Sequence, residues 1–146
     1  MDPVTAIGLA GTLVGITDIV ARSLISLVTL QSKYRCSSLV VSLLIGQLTT
    51  LRAALYQITE FERSLVGIPM HEQLVADLQI SLESCHVLII VLEERIKKLG
   101  KGLDGGSLTA KGKIEFIFEE GGLSDFTNHL NNQVNALNLL LTALHW

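Results

Sequence analysis

Apolar residues recur at steps of three and four along most of the chain, the spacing of one face of an α-helix. The first run predicts a helix over 3–33, with Leu9, Leu13, Val14, Ile16, Val20, Leu24, Leu27 and Val28 in a broad apolar arc. The complementary stripe reads Gly8, Gly11, Gly15, Asp18, Arg22, Ser26, Thr29 and Lys33. The glycines therefore continue the polar face of this helix and do not interrupt its apolar one. Each glycine costs about 0.5–1 kcal/mol against alanine in a helix interior, so three on one stripe raise a question of purpose. Asp2 before Pro3 supplies a start signal, and Asp18–Arg22 is an i,i+4 ion pair with the acid first, the better order.

Three further segments repeat the pattern. A helix is predicted over 37–65 on Leu44, Leu48, Leu51, Leu55 and Ile58, stopped by Gly67 and Pro69. Another is predicted over 70–99 on Leu74, Leu78, Leu82, Cys85, Ile89, Leu92 and Ile96. The last is predicted over 124–145 on Phe126, Leu130, Val134, Leu137 and Leu141, with Asn128, Asn131, Asn132, Asn135 and Asn138 outside. Between the last two lie a glycine-rich link, Gly100 to Gly106, and a run at 113–120 that fits a short helix or a short strand, of which the helix is favoured. The expected fold is all-α: one domain over 1–146, an elongated antiparallel four-helix bundle with a short extra helical element before the last helix. Short links make the up-down arrangement the simplest one, and 30 residues of helix reach roughly 45 Å.

Composition agrees with that picture. Of 146 residues, 49% are apolar, 17% charged and only 5% aromatic, so aliphatic side chains must build the core. The formal charge of −3 argues against a general nucleic-acid binder. Its distribution is uneven, and the one basic cluster is Lys97, Lys98, Lys101, Lys111 and Lys113. That cluster is either a solvated helix end or a patch for anionic lipid head groups, at about 1 kcal/mol per charge near a membrane surface.

Other chemistry is sparse. His71, His86, His129 and His145 share no metal-ligand spacing with one another or with Cys36 and Cys85. Neighbouring Cys85 and His86 point different ways on a helix, which argues against a catalytic dyad. "GSLTAKGKI" has the wrong spacing for a phosphate loop, and Ile114 stands where a magnesium-binding hydroxyl belongs. Glu93–Glu94 and Glu119–Glu120 read as acid pairs on ordinary polar faces. The expectation is a protein that is not an enzyme and needs no cofactor or metal.

Asp2 stands where a signal peptide needs positive charge, and the longest uncharged run, Cys36 to Leu51, is 16 residues, short of a constitutive span. The cysteines read as buried free thiols in a reducing cytosol. Cytoplasmic localisation follows as an expectation.

The opening "MDPVTAIGLAGTLVGITDIV", the long middle helices and the ending "KIEFIFEEGGLSDFTNHLNNQVNALNLLLTAL" resemble the N-terminal domain of fungal STAND proteins. These are the fungal NOD-like receptors, whose helical N-terminal modules include HeLo and HeLo-like cell-death domains. The resemblance implies a bundle similar to the coiled-coil domains of plant resistance proteins and to that of mixed-lineage kinase-like pseudokinases. It implies a role in programmed cell death and heterokaryon incompatibility. An upstream STAND receptor or an amyloid-type signal would cluster the bundles into a homo-oligomer. The first helix would then engage the plasma membrane through Gly8, Gly11, Gly15, Asp18 and Arg22. A non-catalytic adaptor that self-associates without touching lipid is the alternative, and the asparagine face of the last helix would serve it.

Overall fold

The computed structural model describes residues 3–33, 39–64, 72–102 and 123–144, and all of them are helical. The helices are α1 (Pro3–Lys33), α2 (Leu39–Ser64), α3 (Glu72–Gly102) and α4 (Leu123–Leu144). Their ends fall within two residues of expectation, except that α3 runs through Gly100 to Gly102, past the stop expected at Leu99. Lys97 lies near its end, where a cation complements the unsatisfied carbonyls, and Lys98 and Lys101 follow it in the helix. α1 opens on Pro3, whose fixed φ and missing N–H suit a first helical position. Asp2, the expected cap, and the predicted element at 113–120 lie outside the described residues.

The fold is an all-α four-helix bundle. Each helix packs on two others, α1 on α2 and α3, and α4 on α2 and α3. The order around the bundle is therefore α1–α2–α4–α3. α1 and α2 run in opposite senses, since Gln31 meets Ser42 at one end and Ala10 lies by Arg63 at the other. α1 and α3 run side by side in the same sense, since Thr12 meets Gln79 and Arg22 meets Glu93.

The predicted seams meet in one core. Leu9, Ile16, Val20 and Leu27 of α1 are fully buried, as are Leu44, Leu48 and Ile58 of α2. Leu78, Leu82, Ile89 and Leu92 of α3 and Leu130 and Leu137 of α4 complete it. At about 1.5–3 kcal/mol for each buried aliphatic side chain, these seams are the main source of stability. The arc on α1 is wider than the core needs, because two neighbours cover only part of its circumference. Val14 is 71% exposed and Val28 48% exposed, where the apolar arc predicted cover.

Candidate functional site

The stripe of α1 divides once side chains are placed. Gly8 and Gly11 are exposed, and a Cβ at either would meet nothing within 4 Å. Gly15 is half-buried, and a Cβ there would sit 3.3 Å from His86 Cε1 and 3.7 Å from its Nε2. Gly15 thus has a packing reason, the close approach of an imidazole from α3, while Gly8 and Gly11 have none within the bundle.

The α3-side edge of α1 is polar and tied. Gln79 Nε2 donates to Thr12 Oγ1 at 2.9 Å and to Glu83 Oε1 at 2.8 Å. The Thr12 hydroxyl in turn donates to the Gly8 carbonyl at 2.9 Å. Further along, Arg22 pairs with Asp18 at 3.0 Å, the expected i,i+4 contact. The same guanidinium reaches across to Glu93 Oε1 at 3.0 Å, and Lys97 Nζ meets that oxygen at 2.8 Å. Glu93 is therefore not on an ordinary polar face. Its side chain is only 13% exposed, between a cation of α1 and one of its own helix, while Glu94 faces solvent.

The α2-side edge opens into two grooves of mixed lining. Leu13, Val14 and Thr17 face Thr59, Glu62 and Arg63 across a groove of about 480 Å³. Leu24, Ile25 and Val28 face Ile45, Thr49 and Arg52 across another of about 340 Å³. Ile25 is 67% exposed. The α3 side has a smaller groove of its own, about 250 Å³ between Ile25, Ser26, Glu93 and Ile96, and the α2 side carries the Gln31–Ser42 hydrogen bond, so the two edges differ in that the ion pairs lie toward α3 and the larger grooves toward α2.

Of the lysine cluster, Lys97 is the one member whose side chain is described. Lys97 is exposed and bound to Glu93, Lys98 and Lys101 follow it on α3, and Lys111 and Lys113 lie outside the described residues. Cys85 is a buried free thiol, pushed up to about 11 by that burial, whereas His86 beside it turns to the seam with α1. Among the described residues no three His, Cys, Asp or Glu side chains gather to hold a metal ion.

Among the described residues two helices are long and apolar enough to cross a membrane, over Gly8–Ser32 and Gln73–Lys97, a test that the core helix of a soluble protein also passes. They are α1 and α3, the parallel neighbours. On α3, Ile80, Val87 and Ile90 are exposed. On α4 the outer face holds exposed Asn128, Asn131, Asn132, Asn135 and Asn138, as its sequence predicts.

Sequence reasoning missed Glu93 as a bridging group. Its spacing to Lys97 gives the half within α3, since an acid four residues before a base is a favoured pair. The half that reaches Arg22 depends on which helices are neighbours, and periodicity does not carry that. No family model, curated protein or solved structure matches this chain.

Proposed function

We propose that this chain is a membrane-targeting effector domain of the HeLo-like cell-death kind. In this reading it is held as a bundle in the cytoplasm. Oligomerisation under a STAND-type receptor or an amyloid-type signal frees α1 to engage and permeabilise the plasma membrane. The observation that carries it is the outer surface of α1. Val14 and Ile25 stand 71% and 67% exposed on the same helix as open Gly8 and Gly11, and among its described side chains the two charges, Asp18 and Arg22, are paired.

The energetics favour shallow engagement by the first turns. Asp18 or Arg22 at the centre of a hydrocarbon layer costs about 2.5–3.5 kcal/mol each on insertion scales. A lone α1 would not span stably. Several α1 helices with their charges turned to a common water-filled lumen would avoid that cost, and insertion ahead of Asp18 avoids it without a pore.

The test is dye release from phosphatidylglycerol vesicles by the intact chain and by Val14→Glu/Ile25→Glu, whose positions lie outside the core. The reading expects release by the intact chain and a loss of at least tenfold in the double variant, since the transfer cost of the charge at position 14 alone reaches that size and a pore would add that at position 25. Equal release from both removes α1's outer face from the mechanism. No release from the intact chain, even when clustered through a fused oligomer, removes the membrane reading.

A second reading, a self-associating adaptor without membrane activity, is favoured by the uncharged amide face of α4. It expects stable oligomers in plain buffer, weakened by Asn131→Lys/Asn135→Lys, with no vesicle binding.

A further inference from the structure

The seam between α1 and α3 contains the one ion pair between helices among the described residues, and its centre is Glu93. One carboxylate oxygen accepts from Arg22 Nη1 at 3.0 Å and from Lys97 Nζ at 2.8 Å. The three side chains differ sharply in access to solvent: Glu93 is 13% exposed, Arg22 51% and Lys97 65%. The two cations can turn toward an anion outside the protein. The carboxylate is the least exposed of the three, at the wall of a groove of about 250 Å³ that Ile25, Ser26 and Ile96 also line. Arg22 is also anchored outward by Asp18 at 3.0 Å, which keeps its guanidinium at the surface whichever carboxylate it serves.

We propose that Glu93 is the latch holding α1 on α3, and that the phosphates of an anionic bilayer open it by drawing off Arg22 and Lys97. This rests on the membrane reading above and names the residue and the lipid charge that regulate it. Phosphate oxygens accept paired hydrogen bonds from a guanidinium and attract an ammonium as a point charge. Once both cations are engaged outside, Glu93 keeps a largely desolvated and unpaired charge, which destabilises any packed arrangement around it. Separation of α1 from α3 admits water to the carboxylate and relieves that penalty. A neutral bilayer offers the same hydrocarbon but leaves the latch closed.

The experiment measures the α1–α3 distance by electron-spin labels at Gly11→Cys and Ala76→Cys, both exposed positions, with Cys36→Ser and the buried Cys85 left in place. A second pair, at Ala53→Cys and Asn135→Cys, reports whether α2 and α4 stay together. The expected result is one short α1–α3 distance in buffer, with phosphatidylcholine vesicles and with free inorganic phosphate, and a long, broad one with phosphatidylglycerol vesicles. Glu93→Gln lowers about tenfold the phosphatidylglycerol concentration at which half of the chain is open, the scale of a lost charge-assisted hydrogen bond, and Glu94→Gln leaves it unchanged. Opening with neutral vesicles or with free phosphate as readily as with phosphatidylglycerol overturns the lipid-charge trigger. A Glu93→Gln chain that matches the intact one, or that loses the α2–α4 distance as well, overturns the latch. Dye release read on the same vesicles separates the two claims. Opening without release keeps the latch and removes permeabilisation, and release with an unmoved α1–α3 distance does the reverse.

Discussion

α1 and α4 occupy opposite corners of one bundle, each packed on α2 and α3, and they turn contrasting surfaces outward. The outer face of α4 is a ladder of exposed asparagines with Leu139 as the one large exposed aliphatic side chain among its described residues. The outer face of α1 combines open glycines with Val14, Ile25 and Val28. Position in the fold is equivalent, so the difference lies in what each face can do. Amides are satisfied by water and gain little from leaving it. Uncovered aliphatic side chains gain about 1.5–3 kcal/mol each when fully buried, so α1 is the corner with a driving force toward another surface.

The largest effect that sharpens this comparison separates the inner from the outer face of α1. Ile16→Ala, in the core, should lower stability by about 2–5 kcal/mol in denaturant unfolding, while exposed Val14→Ala should change it by about 0.5 kcal/mol or less. Similar losses at the two positions would mean that the outer face is covered after all.

Next in size is the contrast between two adjacent acids. Glu93→Ala should cost about 1.5–3 kcal/mol, since it removes two charge-assisted contacts at a nearly buried site, while exposed Glu94→Ala should stay within about 0.5 kcal/mol. Thermal melts of the two variants at low and at high salt check this.

The glycines give a smaller effect that changes sign along one stripe. Gly8→Ala and Gly11→Ala should each stabilise the bundle by about 0.5–1 kcal/mol, because their Cβ atoms enter open space and alanine is the better helix former. Gly15→Ala should gain less or lose, because its Cβ would lie 3.3 Å from His86 and push the ring outward. The smallest effect concerns Ser23, 1% exposed with an Oγ that has no hydrogen-bond partner. Replacing it by alanine should be neutral or stabilising by about 0.5 kcal/mol, read as a small rise in melting temperature.

The sequence carried the helices and their inner seams, because a period of three to four is set within each segment. Leu44–Leu48–Leu51–Leu55 and Leu130–Val134–Leu137–Leu141 needed no knowledge of a neighbour. Pro3 likewise marked the start of α1 locally. What it did not carry is whatever depends on the order of helices around the bundle. Arg22 and Glu93 are 71 positions apart and meet only because α3 lies beside α1. Gly15 differs from Gly8 and Gly11 for the same reason, since His86 comes from that neighbour. Val14 and Val28 looked like core because their spacing is right, but two flanking helices leave that side of α1 uncovered.

The most direct measurement places a polarity-sensitive fluorophore at Gly11→Cys on α1 or at Asn135→Cys on α4 and adds phosphatidylglycerol vesicles. The α1 probe should shift to the blue as it leaves water, while the α4 probe keeps its aqueous emission. Emission that stays aqueous at both positions, or shifts equally at both, would contradict the claim that α1 is the face meant for the membrane.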